Sequence, residues 1–183
     1  ILLLGITLVM VVFAPLGALY PLMTLEHFGG DGYMASIAEA TWGIGMLVGS
    51  AIIMAWGGGK KLARLIIVSS VIVGATTAAC GFLPSTGFWA FAALNAFMAM
   101  ACAWINGPSL TLVQKNVPEE KLGRAMGFIA ALMGLTSPIG IAIGGPLADA
   151  IGVAPFFIVD GIACMIIALL LYLPRSVRTL DER

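Results

Sequence analysis

Long apolar stretches separated by short basic clusters constrain this chain more than any single residue. Each stretch has about the 20 residues that a helix needs to cross a bilayer. All nine lysines and arginines fall in three clusters, one after every second stretch. The clusters are Lys60, Lys61 and Arg64; Lys115, Lys121 and Arg124; and Arg175, Arg178 and Arg183. This spacing puts every basic residue on one side of a membrane, and loops rich in Lys and Arg are cytoplasmic. The pattern predicts a multi-pass membrane protein with both termini in the cytoplasm.

Composition excludes a soluble domain. Hydrophobic residues make up 61% of the chain and charged residues only 10%, which is more apolar surface than a soluble fold can bury. The net charge is zero, yet outside the cytoplasmic loops and tail the chain carries five acids and no Lys or Arg. The charge separation sets orientation in the membrane and does not indicate nucleic-acid binding.

Hydropathy predicts six transmembrane helices in one domain covering residues 1–183. The fold class is all-α, because these aliphatic runs lack the alternation of barrel strands. The predicted spans are 1–25, 34–56, 65–83, 88–113, 124–148 and 155–173, followed by a cytoplasmic tail, 174–183.

Helix-breaking residues suggest that the six spans form two inverted three-helix repeats. Pro15 lies in the first span and the Gly107-Pro108 pair in the fourth, the corresponding place of the second triplet; Pro138 adds a further kink candidate in the fifth. An odd number of crossings inverts the second triplet, and matching interruptions point toward a transporter's substrate path. The alternative is that proline is simply common in membrane helices.

Small residues on the second spans predict close helix packing. Gly45 and Gly49 are four residues apart, as are Gly140 and Gly144, a spacing that lets two backbones approach each other.

The stretch 107–127, GPSLTLVQKNVPEEKLGRAMG, resembles the loop between the tenth and eleventh helices of the major facilitator superfamily, in the bacterial branch that includes macrolide and siderophore efflux proteins. Its most specific part is Pro118, Glu119, Gly123 and Arg124. The resemblance extends nearly end to end. It implies that these six helices are helices seven to twelve of a twelve-helix transporter, whose N-terminal half would precede Ile1. One departure is the loop 57–64, which lacks the acid that the family usually carries there.

No enzyme, cofactor or metal motif occurs in the sequence. HExxH, GxSxG and Walker patterns are missing, and the three cysteines have no partners at metal-ligand spacing. The single histidine, His27, is expected to be a solvated outer-loop residue. Neither enzymatic activity nor ATP-driven transport is predicted.

Glu39 is the main candidate for proton coupling. It lies about 9 Å into the second span at 1.5 Å per residue, and an ionisable group at that depth is costly unless it has a function. A desolvated carboxyl there would take up and release a proton as a cavity opens to either side. The alternative is an ionised carboxylate that completes a network with a neighbouring tyrosine or asparagine. Asp160, in the sixth span, has a weaker claim, because the resemblance puts that helix at the periphery and because its neighbours Cys164 and Ile167 are apolar.

Polar and adaptable side chains predict the wall of a substrate cavity. The candidates are Asn95, Cys102, Asn106 and Ser109 along the fourth span, with Trp42 and Met46 on the second. They suit an amphipathic drug-like or siderophore-like substrate. Each polar residue alone is better explained by interhelical hydrogen bonding, worth about 0.6 kcal/mol, whereas cavity lining is favoured for the polar residues of the fourth span taken together.

The predicted function is therefore proton-coupled efflux of amphipathic organic compounds across the bacterial cytoplasmic membrane, by alternating access. The expected partners are a small-molecule substrate, protons, the lipid bilayer and the N-terminal half. The alternatives are a non-transporting six-helix membrane module or assembly subunit, and an importer of the same fold.

Overall fold

The elements are helical throughout a computed structural model that describes residues 12–13, 15–17, 19–57 and 62–172. We call α1 the helical residues 12–13, 15–17 and 19–22 together with the π-helix Met23–His27 that follows them. The other helices are α2 (Gly32–Trp56), α3 (Leu62–Gly81), α4 (Phe88–Asn116), α5 (Glu119–Ile151) and α6 (Val153–Tyr172). The predicted all-α class is confirmed over these residues.

Four of the described helices are long and apolar enough to cross a bilayer. They are α2, α3, the part of α4 from Phe88 to Lys115, and the part of α6 from Val153 to Leu170. These helices match the predicted spans 34–56, 65–83, 88–113 and 155–173 to within a few residues. Residues 1–11 of the first predicted span, Lys60, Lys61 and the tail 174–183 lie outside the described residues.

The predicted cytoplasmic loop between the fourth and fifth spans is almost entirely helical, which corrects the sequence interpretation. Only Val117 and Pro118 separate α4 from α5, so Glu119, Gly123 and Arg124 lie in the first turns of α5 rather than in a loop. Pro118 is the N-cap residue of α5. Acidic residues immediately after the cap favour helix formation, because they complement the positive end of the helix dipole.

Glycine brings α2 into backbone contact with α4. A Cβ built on Gly45 would overlap the carbonyl oxygen of Ala96, and one on Gly49 would overlap that of Met100. The predicted close approach at Gly45 and Gly49 therefore occurs, with α4 as the partner. The Trp104 indole N–H extends this contact by donating to the carbonyl oxygen of Gly49 at 3.1 Å.

Two further helix contacts also depend on glycine. Gly74 of α3 and Gly161 of α6 face each other with no space for a Cβ on either. In α5, Gly144 packs directly on Pro15 of α1. The packing of Gly140 lies outside what the structure describes.

An aromatic cluster fills the space between α1, α4 and α6. The Tyr20 ring lies 5.5 Å from Phe91 and 5.2 Å from Phe157 between ring centroids. The Tyr20 hydroxyl donates to the Met98 sulfur at 3.4 Å. This cluster fixes the face of α1 that is turned toward the core.

His27 is not the solvated loop residue that the sequence suggests. It ends the π-helix of α1, is half-buried, and its Nε2 lies 2.8 Å from the carbonyl oxygen of Leu83. The bond ties the end of α1 to the α3–α4 connection. No local pattern predicts it, since its two ends are 56 residues apart in the sequence.

Candidate functional site

A cavity of about 200 Å³ lies between α1, α2 and α4. It is lined by Phe13, Gly17, Tyr20 and Pro21 of α1, by Ala35, Ala38, Glu39 and Trp42 of α2, and by Asn95 of α4. Three residues predicted from the sequence, Glu39, Trp42 and Asn95, therefore share one cavity.

Helical spacing explains how α2 builds its side of the wall. Residues three or four positions apart lie on the same face of a helix. This spacing relates the α2 residues of the wall to one another: Ala35 to Ala38 and Glu39, and these two in turn to Trp42. The two alanines leave room, while Glu39 supplies a carboxylate and Trp42 a large ring. Asp31 starts this helix as N-cap, with its side chain accepting from the Met34 amide at 3.0 Å.

Three aromatic rings form a continuous wall at this cavity. The Trp42 ring is stacked on Phe13 with centroids 6.4 Å apart and is tilted against Tyr20 at 6.1 Å. Phe13 and Tyr20 are seven residues apart on α1, about two helical turns. The sequence interpretation did not select either as a cavity residue; the seven-residue spacing of two aromatics in one span was the available signal.

Asn95 connects α4 to α2 at the edge of the cavity. Its side chain is 1% exposed, and its Nδ2 donates to the Ala38 carbonyl oxygen at 2.6 Å and to the Thr41 hydroxyl oxygen at 3.1 Å. Thr41 in turn donates to the Ala38 carbonyl oxygen at 2.8 Å. The Asn95 Oδ1 has no hydrogen-bond partner among the residues that the structure describes.

The other predicted cavity residues lie outside this wall. Cys102 and Met46 are half-buried, Asn106 is exposed, and the Ser109 hydroxyl donates to the Ile105 carbonyl oxygen of its own helix at 2.5 Å. Of the four polar residues predicted along α4, only Asn95 thus lines the cavity described here. A substrate role for its other members stays a prediction.

The predicted kink residues occupy different surroundings. Pro15 is buried against Gly144, and Pro108 is buried inside α4, while its neighbour Gly107 and Pro138 of α5 are exposed. Proline inside a helix removes one backbone hydrogen bond. Both α4 and α5 continue past their prolines.

Asp160 is more deeply placed than its predicted peripheral position suggested. Its side chain is 6% exposed, and the Cys164 thiol is the donor toward its Oδ2, at 4.0 Å. The sequence interpretation discounted Asp160 because its neighbours in the sequence are apolar. A carboxyl that is buried in the protein interior also has apolar neighbours, so apolar neighbours in the sequence did not exclude a buried position for Asp160.

Comparison with known proteins identifies the family. The Major Facilitator Superfamily profile matches residues 2–182. The chain belongs to the major facilitator superfamily. This superfamily consists of membrane transporters rather than enzymes, so the chain is part of a multi-pass transporter, and the predicted membership of the superfamily is confirmed.

Superfamily members with macrolide efflux names are among the similar proteins. The chain is 33% identical to macrolide efflux protein A of Streptococcus pyogenes over 175 residues, which cover 96% of this chain and 43% of that protein. It is 33% identical to macrolide efflux protein A of Enterococcus faecalis over 135 residues, 74% of this chain and 42% of that protein. An uncharacterized MFS-type transporter of Bacillus subtilis, YfiS, is 30% identical over 155 residues, 81% of this chain and 36% of that protein.

The chain spans less than half the length of these curated relatives. No solved structure gives a significant match to it.

Proposed function

We propose that this chain is the C-terminal six-helix half of a bacterial exporter that moves amphipathic organic compounds out of the cytoplasm in exchange for protons. The observation that carries the proposal is the cavity between α1, α2 and α4, where a carboxylate stands among aromatic rings. Apolar pockets with a few convergent polar groups are typical small-molecule sites. The similarity to macrolide efflux proteins supports a drug-like compound as the substrate.

The helix contacts support two inverted three-helix repeats as the architecture. If α1–α3 and α4–α6 are equivalent triplets, the contact of α2 with α4 has the contact of α5 with α1 as its counterpart. The third helices, α3 and α6, pair with each other. Glycine mediates all three contacts, at Gly45, Gly144 and Gly74. This is the pairing that a two-fold axis between the triplets requires.

The exposed surface of α2 supports a second helical half as a partner. Of its 25 residues, all described, only Ala38, Gly45 and Gly49 are buried. Large apolar side chains remain exposed along it, namely Ile44, Leu47, Val48, Ile52, Met54 and Trp56. Lipid and the N-terminal half together would cover this surface, and rocking of one half against the other would alternate access to the cavity.

Glu39 is the proposed proton-coupling residue. It is exposed toward a cavity rather than buried in the core, so a proton can reach it when the cavity opens to either side of the membrane. Among the described residues, those that line the cavity include no Lys, Arg or His. An acidic side chain at a cavity inside a membrane domain is a candidate for a function rather than for packing.

The membrane orientation follows from the charge pattern. With the basic clusters inside, both termini are cytoplasmic, and the α3–α4 turn near Pro84 lies outside. The proposed location is the bacterial cytoplasmic membrane.

The test is proton-driven export by the full-length protein in sealed vesicles. We expect Glu39→Gln to lose gradient-driven accumulation of an uncharged compound while retaining its exchange down a concentration gradient. The matched control is Glu26→Gln, which removes an exposed acid outside the cavity. Unchanged proton-driven export by Glu39→Gln would refute the role of Glu39. Absence of any coupled movement across macrolides, dyes and catecholate compounds would refute the antiporter, and accumulation in the opposite direction would make it an importer.

A further inference from the structure

We propose that the Asp160 carboxyl is a proton-binding site distinct from Glu39, and that the Tyr20 ring separates it from the cavity. The site lies where α6 meets α3, outside the cavity between α1, α2 and α4. It depends neither on the proposed export reaction nor on the role of Glu39. Burial of the carboxyl, neutral surroundings and the position of Tyr20 support the assignment.

Asp160 lies where α6 packs tightly against α3. Its side chain is 6% exposed, and the next residue, Gly161, lies against the backbone of Gly74 and Ala78. A carboxyl buried to this degree has no hydration shell. A carboxylate without water or a counter-charge is very costly in the interior of a protein or a membrane.

The titratable groups around Asp160 are hydroxyl and thiol groups. The Cys164 thiol is the donor toward its Oδ2 at 4.0 Å, and a thiol is only a weak donor. The Tyr20 hydroxyl is close enough to interact electrostatically with Asp160, and it interacts in the same way with Cys80 and Cys102. Each of the helices α1, α3, α4 and α6 thus contributes a neutral group to this region.

The described basic side chains of the neighbouring helices lie near helix ends. Arg64 is ten residues from Gly74, the α3 residue that packs on α6 beside Asp160, and ten residues span about 15 Å of helix. Lys115 is in the last turn of α4, and the basic residues of α5 are in its first turns. His27 ends α1 and is bonded to a backbone carbonyl of the α3–α4 connection. Among the described residues, Asp160 therefore has no cation at hand to compensate its charge.

A bound proton compensates the charge instead. It converts the carboxylate to a neutral carboxylic acid, which removes the cost of a buried charge. The acids of the neighbouring helices α1 and α5, Glu26 and Asp149, are exposed. Because they have the same sign as an ionised Asp160, they favour the protonated form as well.

Tyr20 stands between this carboxyl and the cavity. The cavity is lined by Tyr20 and by no described residue of α6. The same ring meets Phe157 of α6, with centroids 5.2 Å apart, and Phe157 precedes Asp160 by one helical turn. Solvent in the cavity therefore reaches Asp160 only when Tyr20 moves away from α6, and proton exchange follows that motion.

Infrared spectroscopy of the purified full-length protein tests the bound proton directly. At neutral pH we expect the carbonyl stretching band of a protonated carboxyl, and we expect Asp160→Asn to lack it. The matched control is Asp149→Asn, which makes the same change at an exposed position of α5 and should keep the band. Glu39→Gln should keep it too. A spectrum of Asp160→Asn identical to that of wild type would overturn the proposal.

Isotopic labelling of wild type keeps the test decisive even if Asp160→Asn does not fold. Aspartate with a heavy carbon isotope in its side-chain carboxyl shifts the bands of aspartic acid and leaves those of glutamic acid in place. We expect the wild-type band to shift. Absence of any label-sensitive band of a protonated carboxyl would by itself refute the bound proton.

Exchange with deuterated water tests the separation by Tyr20. The rate at which the band shifts after transfer to deuterated buffer reports how often the carboxyl becomes accessible. We expect exchange to be at least about tenfold faster in Tyr20→Ala than in wild type, and Tyr20→Phe to resemble wild type because it keeps the ring. The control is Phe91→Ala, which removes another buried ring of the same cluster that does not line the cavity. It should exchange more slowly than Tyr20→Ala.

Equal exchange rates in Tyr20→Ala and Phe91→Ala would overturn the separation by Tyr20. None of these measurements requires transport, so they are independent of the export assay. A protonated Asp160 in a protein without proton-driven export would refute the proposed function and leave this site standing. Proton-driven export by a protein in which Asp160 is ionised would do the reverse.

Discussion

Asn95 shows how a single polar residue can join two membrane helices. Its amide reaches the backbone of α2 and the Thr41 hydroxyl, and this pair of bonds lies next to the backbone contact at Gly45. In a membrane interior, where water does not compete, such bonds hold helices in register. Asn95 therefore has a structural role at the contact between α4 and α2.

Asn95→Asp tests the structural role. The substitution keeps the size of the side chain but sets a carboxyl oxygen against the Ala38 carbonyl oxygen, so both donated bonds are lost. We expect the full-length protein to lose about 1–3 kcal/mol of stability, seen as a lower melting temperature in detergent. Asn106→Asp, at an exposed position of the same membrane-spanning helix, makes the same chemical change away from the contact with Ala38 and Thr41, so it measures the cost of the new carboxyl alone and should lower stability by less. Equal effects of the two variants would contradict the assigned bonds.

At the scale of the helices, the positions of glycine residues determine which helices pack closely against each other. The contacts of α2 with α4, α3 with α6 and α5 with α1 each use a glycine where a Cβ would overlap the neighbouring helix. Close approach increases van der Waals contact, the main attractive force between helices in lipid. The helix pairs are therefore specified by the smallest side chains of the chain rather than the largest.

Gly45→Ala tests this packing. The added methyl group would meet the backbone of Ala96, which cannot move as a flexible side chain does. We expect a loss of about 1–3 kcal/mol from overpacking, measured as a lower melting temperature and earlier aggregation on heating. Gly43→Ala is the matched control, because nothing lies within 4 Å of the Cβ it would add. A stabilised Gly45→Ala variant would show that α2 and α4 do not approach this closely.

The sequence predicts the helices well and the site in part. Long apolar runs and the Gly45–Gly49 spacing are local patterns. The structure bears out the close approach at Gly45 and Gly49 and, among the described residues, four of the six predicted spans. Glu39, which the structure places at the cavity, is conspicuous in the sequence as a carboxyl in an apolar span. Phe13 is not conspicuous, because a ring that lines a cavity and a ring that faces lipid look alike in a sequence. The contact of His27 with Leu83 depends on how α1 meets the α3–α4 turn, which no local pattern encodes.

For the whole molecule, the packing that the structure describes is most extensive among α2, α3, α4 and α6. Helix α5 exposes Leu135, Ile143 and Leu147. Exposed apolar residues on a membrane protein are covered by lipid or by other helices. We expect the relative arrangement of α2–α4 and α3–α6 to persist while the transporter changes its access.

Membrane orientation can be measured on the full-length protein. In a background without Cys80, Cys102 and Cys164, a membrane-impermeant maleimide should label Ser85→Cys in intact cells, because the α3–α4 turn is expected outside. Lys121→Cys, in the first turns of α5, should be labelled only after the membrane is permeabilised. Both positions are exposed in the structure, so access is set by the membrane alone. The opposite pattern would invert the proposed orientation.

Few residues of α2 are buried, and this has an evolutionary consequence. Its core contacts depend on Ala38, Gly45 and Gly49, whereas Glu39 and Trp42 stand on the cavity side of the same helix. Ala35 lies on the same side without being one of the packing residues, so a substitution there carries little stability cost. Under the proposed function, a lineage can therefore drift toward new compounds through a change at this position, and descendants of one ancestor are expected to differ in the compounds they bind while sharing the same frame.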